Sequence, residues 1–401
     1  MSAPEPILRI AVKGDGVTAS GRHVAGGVTG DLLHPDGTLE HGPHHVVPPC
    51  RHFGSCGGCQ LQHADEAALA RFVTERVVHA AEGQGIAIGE LLPTHLSPPR
   101  SRRRATLHGL RAGRNAVLGF REAGSHRIVD MRECHILAPE LFALVARLRA
   151  LVAAHGGKQP VDAALTLADQ GVDVALSGLA LDGLGPTEAL LDFARTHGLA
   201  RLGLDQGYGP ETLWEPQPVT VTLGRVPVGL PPAAFLQPTA DGESALVADA
   251  CAFLGGAATV ADLFSGLGTF AFALAGPGTG TKVMAVEAAR DAHLACKTAA
   301  NARGLPVHAL HRDLFRNPLQ PEEAGRFAAL LLDPPRAGAR EQVAAIAASS
   351  AARVAYVSCN PVSWARDARM LADAGFRLAQ LRPVGQFRWS THVELTSLFT
   401  R

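Results

Sequence analysis

Long apolar runs are missing from this chain of 401 residues: no stretch approaches the ~20 uninterrupted apolar residues of a membrane-spanning helix. The opening MSAPEPILRI also lacks the basic segment and apolar run of a secretion signal. Neither a membrane protein nor an exported one is expected, which leaves the cytoplasm as the compartment. Net charge is missing as well, because Lys plus Arg and Asp plus Glu each number 37, so overall charge points to no polyanionic partner. There is no internal repeat or low-complexity tract. The seven cysteines are odd in number and unevenly spaced, which argues against a disulfide framework and toward metal binding or catalysis.

What is present is a soluble composition, 47% hydrophobic and 18% charged, in a chain long enough for two or three cores of ordinary size. Residues 1–45 hold short β-like pieces (ILRIAV, HVAGGV) between Gly-Asp-Gly and Pro-Asp-Gly turns, then a His/Pro-rich link in which His41, His44 and His45 read as solvated. A small, reduced β-barrel appendage is expected there. Residues 46–235 open on a cysteine cluster and pass a helix near 65–82. They then alternate strand-like runs (RATLHGL, AVLGF, ALTLA, DVALSG) with helix-like ones, the pattern of a mixed α+β domain. Within them Arg100, Arg102, Arg103, Arg104, Arg111, Arg114, Arg121 and Arg127 crowd one stretch. Such a run neutralises phosphates or forms a solvated sheet face, so it only supports a nucleic-acid reading.

From about residue 236 to 401 the pattern turns regular. TVADLF, KVMAVEA, VHALHRD, AALLLDPPR and RVAYVSC read as strands, with helices at 289–303 and 362–374 among them. This is an α/β, βαβ pattern around a parallel sheet, closed by an antiparallel pair, FRLAQLRPVG and HVELTSLFT. Asp262-Leu-Phe-Ser-Gly-Leu-Gly-Thr-Phe270 joins the first strand to a helix and puts glycines where backbone must approach a ligand. No third glycine completes the dinucleotide spacing, so S-adenosylmethionine is the expected ligand. Glu287 stands at the second strand end to accept hydrogen bonds from ribose hydroxyls, and Asp313 at the third to reach adenine.

The fourth strand ends in Asp333-Pro-Pro-Arg336 and the fifth in Ser358-Cys359-Asn360-Pro361, so both face the carboxyl edge of the sheet, where open α/β folds bind ligands. Carbon 5 of uracil is too weak a nucleophile to attack a methylsulfonium, whereas a thiolate added at carbon 6 pushes electron density onto it, which gives Cys359 its role. A base must then remove the carbon-5 proton, and Glu394 in His392-Val-Glu-Leu is the candidate.

DLFSGLGTF, LLLDPPRAG, YVSCNP and HVEL occur here in the order seen in the bacterial RNA uridine-5 methyltransferases of 23S ribosomal RNA or transfer RNA, and the chain resembles that family over nearly its whole length. The resemblance implies a class I Rossmann-like methyltransferase domain with a reduced TRAM-like N-terminal appendage. It also implies Cys359 as nucleophile and Glu394 as base, with Gln237, Phe264, Thr269, Glu287, Asp313 and Asp333 around S-adenosylmethionine and Phe235 against substrate RNA. 23S ribosomal RNA is the expected substrate, transfer RNA the alternative; no membrane and no obligate protein partner is indicated. DNA cytosine-5 enzymes carry their cysteine in the fourth-strand motif and RNA cytosine-5 enzymes keep a second one there. Here that motif is Asp333-Pro-Pro-Arg336, without cysteine. Where the family often has Phe-Pro-His-Thr, this chain has Phe387-Arg388-Trp389-Ser390, with the register of Glu394 kept. A silent RNA-binding module would have no reason to spare Cys359, Asp333 and Glu394 together, and a methyltransferase for amines or hydroxyls needs no covalent cysteine.

Cys50, Cys56 and Cys59 bring three thiolates into one loop around Gly57 and Gly58, and Cys134 offers a distant fourth. A 4Fe-4S cluster in an iron-sulfur central domain is expected, with tetrahedral zinc the alternative. The spacings match the cluster-bearing branch of the family. Cys251 and Cys296 lie in helical patterns and read as small hydrophobes.

Overall fold

The computed structural model describes residues 3–179, 181 and 183–401. Its N-terminal strands form an open half-barrel of five, in the spatial order His23–Val24, Gly16–Thr18, Glu5–Ile10, Leu32–Leu33 and Leu39–Glu40. Asp31, fully buried, fastens its rim: one carboxylate oxygen accepts the Val28 N–H at 2.8 Å and faces His45 Nδ1 at 2.8 Å, and the other accepts the Gly42 N–H at 2.7 Å. The histidines expected to be solvated therefore have structural work. His45 stacks on His41 with ring centroids 3.5 Å apart, and His44 Nδ1 lies 2.9 Å from Asp65, the residue that caps the helix Glu66–Glu82.

A second sheet of six strands runs Pro210–Trp214, Arg201–Asp205, Gly171–Ser177, Val161–Ala168, Arg104–Ala112 and Asn115–Gly119. Along Val161–Ala168 the side chains alternate between core and cover, as the two-residue period of a strand dictates. The inward set meets the helix Val145–His155 through Leu148 and Val152. Between adjacent strands the buried Arg201 grips Asp173 with two bonds of 3.0 and 2.6 Å and donates a third, 2.9 Å, to the Leu230 carbonyl.

The cysteine expectation is overturned here. Among the described residues no group of three or more His, Cys, Asp or Glu side chains is placed to hold a metal ion. Cys50, Cys56, Cys59 and Cys134 do line one cavity with Phe53, Phe120 and Met131, but it measures only about 20 Å³, room for roughly one water and not for a cube of iron and sulfide. Burial pushes all four thiols up, Cys59 to about 12. The 4Fe-4S cluster, the zinc alternative and the iron-sulfur character of this α+β region are therefore withdrawn. The four cysteines are free thiols, Cys59 buried and Cys50, Cys56 and Cys134 half-buried.

The C-terminal sheet has nine strands. Val307–His311, Lys282–Glu287, Thr259–Leu263, Ala329–Leu332 and Arg353–Ser358 run parallel. Glu394–Thr400 then pairs antiparallel with both Arg353–Ser358 and Arg377–Gly385. The order places Thr259–Leu263 beside Ala329–Leu332, so the chain reverses direction of travel there, the switch point at which such sheets bind ligands. This is a Rossmann-like core, with helices Arg290–Arg303 and Pro361–Asp373 among those covering its faces. Ile88–Leu91 and His95–Leu96, far upstream in sequence, extend the sheet beyond Arg377–Gly385, and the helix Glu66–Glu82 packs against Pro361–Asp373 and Arg377–Gly385. Among the described residues no helix is long and apolar enough to cross a membrane.

Candidate active site

The loop after Thr259–Leu263 is shaped by backbone that ordinary residues avoid. Phe264, Gly266 and Gly268 take φ of +64°, +55° and +93°. The two glycines serve different ends. A Cβ on Gly268 would stand 2.7 Å from the Phe272 ring and 2.9 Å from Cys296 Sγ, whereas one on Gly266 would meet nothing within 4 Å, and Gly266 lines a cavity of about 710 Å³. Gly268 lets the loop pack; Gly266 keeps the cavity wall bare. Cys296, as expected, is a small buried hydrophobe at this contact, 1% exposed.

Glu287, ending its strand, holds the loop by accepting the Gly266 N–H at 2.8 Å with one oxygen and the Ala289 N–H at 2.6 Å with the other. Each oxygen keeps a further lone pair, and Glu287 lines the cavity. Asp313 accepts from the Phe315 N–H at 2.9 Å, which brings the Phe315 ring to 5.4 Å from that of Phe264. The two rings make an apolar clamp beside two carboxylates, a donor set that fits an adenosine: a flat heterocycle between rings and hydroxyls for Glu287.

The same cavity is lined by a thiol and two further carboxyl groups. Asp333 follows Ala329–Leu332, Cys359 follows Arg353–Ser358 and Glu394 opens the antiparallel strand, so three strand ends deliver them to one edge. All line the cavity with Phe235, Gln237, Phe264, Thr269, Glu287 and Asp313. Burial lifts Glu394 to about 8, against a hydrogen bond from Gln386 that pulls it down, and the Asp333 charge adds to the lift. Burial likewise raises Asp333 to about 7. The Cys359 thiol is pushed to about 11 by burial, then by Glu394 and Asp333, while Arg336 opposes the rise. A thiol near two raised carboxyls and a guanidinium marks a candidate site for proton exchange.

Comparison with known proteins gives the family. The family described as tRNA (Uracil-5-)-methyltransferase matches residues 321–401. An RNA methyltransferase of Zymomonas mobilis, itself uncharacterized, is 48% identical over 98% of this chain and 99% of its own. The 23S rRNA (uracil(1939)-C(5))-methyltransferase of Edwardsiella ictaluri is 33% identical, covering 90% of this chain and 83% of its own. The chain belongs to the RNA (uracil-5-)-methyltransferase family. S-adenosylmethionine-dependent methylation of uridine carbon 5 in RNA is the activity of that family. Among solved structures, the tRNA (uracil-54, C5)-methyltransferase of Pyrococcus abyssi, in complex with S-adenosyl-L-homocysteine, superimposes with a TM-score of 0.77 over 99% of both chains at 21% identity, a likeness of fold.

Arginines of the 100–127 run stand beside this cavity. Arg103 donates to the Gln237 carbonyl at 2.9 Å and to Glu243 at 2.6 Å, and Arg104 donates to the Leu236 carbonyl at 3.0 Å while its guanidinium covers the Phe235 ring at 4.7 Å. They hold the segment that carries Phe235, which is 65% exposed. Arg102 lies between the rings of Phe120 and Phe387, 5.7 and 5.4 Å from their centroids. A second cavity of about 710 Å³ is lined by Arg102, Arg104, Phe120, Arg121, Phe387 and His392, and it shares Ala233 and Ala234 with the first. Not every arginine of the run is available: Arg127 lies 3.7 Å from Glu122, and Arg111 donates to the Gly156 carbonyl at 3.3 Å.

Sequence reasoning missed a buried polar chain beneath the reactive groups. Gln237 donates to Asp333 at 3.4 Å and accepts from the Gln386 amide at 2.9 Å; the same Gln386 amide donates to Glu394. No charge or spacing marks Gln386 in VGQFRW. Its one signal is position, immediately after the strand Arg377–Gly385 and so at the same carboxyl edge as Cys359.

Proposed function

We propose that this chain methylates carbon 5 of a uridine in 23S ribosomal RNA through a covalent adduct to Cys359, with Glu394 as the base that releases the product. The observation that carries the reading is the convergence of Cys359, Asp333 and Glu394 on the same cavity as the ring pair and carboxylates that fit adenosine. In this reading Gln237, Phe264, Thr269, Glu287, Asp313 and Asp333 hold S-adenosylmethionine, which when bound supplies an electrophilic methyl group.

The Cys359 thiolate adds to carbon 6 of the uracil, and the displaced π pair gathers on carbon 5 and its neighbouring carbonyl as an enolate. Once carbon 5 carries the methyl, Glu394 takes its remaining proton. The electrons of that C–H bond form the C5–C6 double bond, and the carbon–sulfur bond breaks with its pair returning to Cys359. At neutral pH a carboxyl lifted to about 8 retains a proton more often than an exposed one does, yet it matches the acidity that a general base near pH 7 needs. A bound sulfonium and the Arg336 guanidinium both favour the thiolate that burial disfavours. Phe235, held by Arg104, offers a ring face for a base turned out of the RNA stack, and the arginine-lined second cavity offers a path for its backbone.

Ribosomal RNA is preferred because the resemblance to the Edwardsiella 23S enzyme runs through 90% of the chain at 33% identity, while the transfer-RNA enzyme of Pyrococcus shares the fold at 21%. The test is transfer of labelled methyl to separated, unmodified ribosomal and transfer RNAs with nucleoside analysis. Label in 23S RNA as 5-methyluridine supports the proposal. Label confined to transfer RNA replaces the substrate and keeps the chemistry, and label in neither removes both.

A further inference from the structure

Glu394 is 5% exposed and Gln386 2%, so protein groups dominate the orientation of the base. A primary amide has two hydrogens to donate. Those of Gln386 are both committed, one to Gln237 Oε1 at 2.9 Å and one to Glu394 Oε2. Its carbonyl accepts from the Thr239 hydroxyl at 3.5 Å, and that hydroxyl in turn meets Ser97 Oγ at 2.9 Å and caps the Gly242 N–H at 3.2 Å. Room for the amide is reserved by Gly242, where a Cβ would stand 2.7 Å from Gln386 Oε1. The amide is thus held at three corners, and only one of its acceptors is a group that reacts.

Resting on the function proposed above, we infer that Gln386 is the positioning residue for the last step: it fixes the Glu394 carboxylate toward the carbon-5 proton and keeps it ionised enough to take that proton. A donor aimed at a carboxylate favours its charged form, and inside a protein such a bond is stronger than one between neutral groups. The groups that otherwise face Glu394 are Asp333 and Cys359, with Arg336 near Cys359. Asp333 opposes ionisation of Glu394, and Gln386 is the neutral donor that counters it. Because the same amide holds Gln237, which reaches Asp333, the base and the cofactor end of the cavity are tied through one side chain.

The step assigned to Gln386 comes after the carbon–sulfur adduct forms, so its loss has a signature that general destabilisation lacks. Gln386→Met keeps the volume and removes both donors. With labelled S-adenosylmethionine at saturation and substrate RNA, adduct formation should stay within about threefold of the parent. Adduct decay, followed on denaturing gels, should slow by about ten- to a hundredfold, the worth of one hydrogen bond to a charged group. Its pH midpoint should also move upward. Gly242→Ala, which presses on the amide without deleting it, should lengthen the adduct in the same sense and serves where the first variant fails to fold. Decay unchanged in rate and midpoint in the folded variants overturns the inference while leaving the function intact. Absence of any adduct in a Glu394→Gln control removes the function reading and this inference with it.

Discussion

Alanine at the two loop glycines should separate folding from binding. At Gly268 the backbone sits at φ +93° and a Cβ falls 2.7 Å from Phe272 and 2.9 Å from Cys296, both fully packed. The left-handed backbone costs an L-residue about 1–2 kcal/mol, and forcing a methyl into a closed core adds about 1–3 kcal/mol. Gly268→Ala should therefore lose about 2–5 kcal/mol, a large part of the ~5–15 kcal/mol that holds a domain folded. Gly266 shares the positive φ, +55°, but its Cβ would enter open space. Gly266→Ala should lose no more than the backbone cost of about 1–2 kcal/mol, while its methyl occupies the cavity wall and weakens cofactor binding by at least about tenfold, roughly the worth of one badly placed contact. Urea denaturation read by circular dichroism gives the first quantity and calorimetric titration with S-adenosylhomocysteine the second. Equal loss of stability at both positions, or a Gly266→Ala variant that binds as tightly as the parent, would refute this division of labour.

Three further outcomes follow from the same geometry. Asp262 is fully buried and lifted well above the carboxylate range by burial and by the nearby charges of Asp333 and Glu287. The native state thus keeps a proton that the unfolded chain releases near pH 4, and native stability falls as pH rises above that point. Asp262→Asn should remove this slope, so the variant gains on the parent between pH 5 and 8 on the order of tenths to a few kcal/mol; parallel stability profiles would contradict it. Arg102→Met retains the stem between Phe120 and Phe387 and deletes the charge. RNA affinity should drop several-fold and the salt slope shrink by about one, with cofactor affinity unchanged; an unaltered slope in filter binding would take Arg102 off the RNA path. Single-turnover product release should accelerate as pH rises through about 8, where Glu394 ionises, and a flat profile from pH 6 to 9 would exclude it as the base.

The C-terminal half is the legible part of this sequence. Strands such as KVMAVEA end in the acids expected to meet the ligand, and the helix expected at 289–303 is found at Arg290–Arg303, because βαβ units combine local periodicity with a fixed direction at the sheet edge. The same periodicity and direction are enough to put Asp333, Cys359 and Glu394 at one edge. Gln386 escapes because an amide carries no charge pattern and its partners, Gln237 and Glu394, lie 149 and 8 residues away. Residues 88–96 escape as members of the C-terminal sheet because strand pairing across some 290 positions leaves no local trace. The cysteine motif misleads in the other direction. Spacing shows that thiols can be near one another, but the space between them depends on Phe53, Phe120 and Met131, whose packing no spacing records.

The central claim is that Cys359 forms, and Glu394 dissolves, a bond to uridine carbon 6. It is tested most directly by incubating Glu394→Gln protein with substrate RNA and S-adenosylmethionine, denaturing, digesting and mapping the RNA-linked peptide by mass spectrometry. The account predicts a methylated uridine attached to Cys359 and none after Cys359→Ala. An adduct at another residue, or equal adduct in both variants, would contradict it.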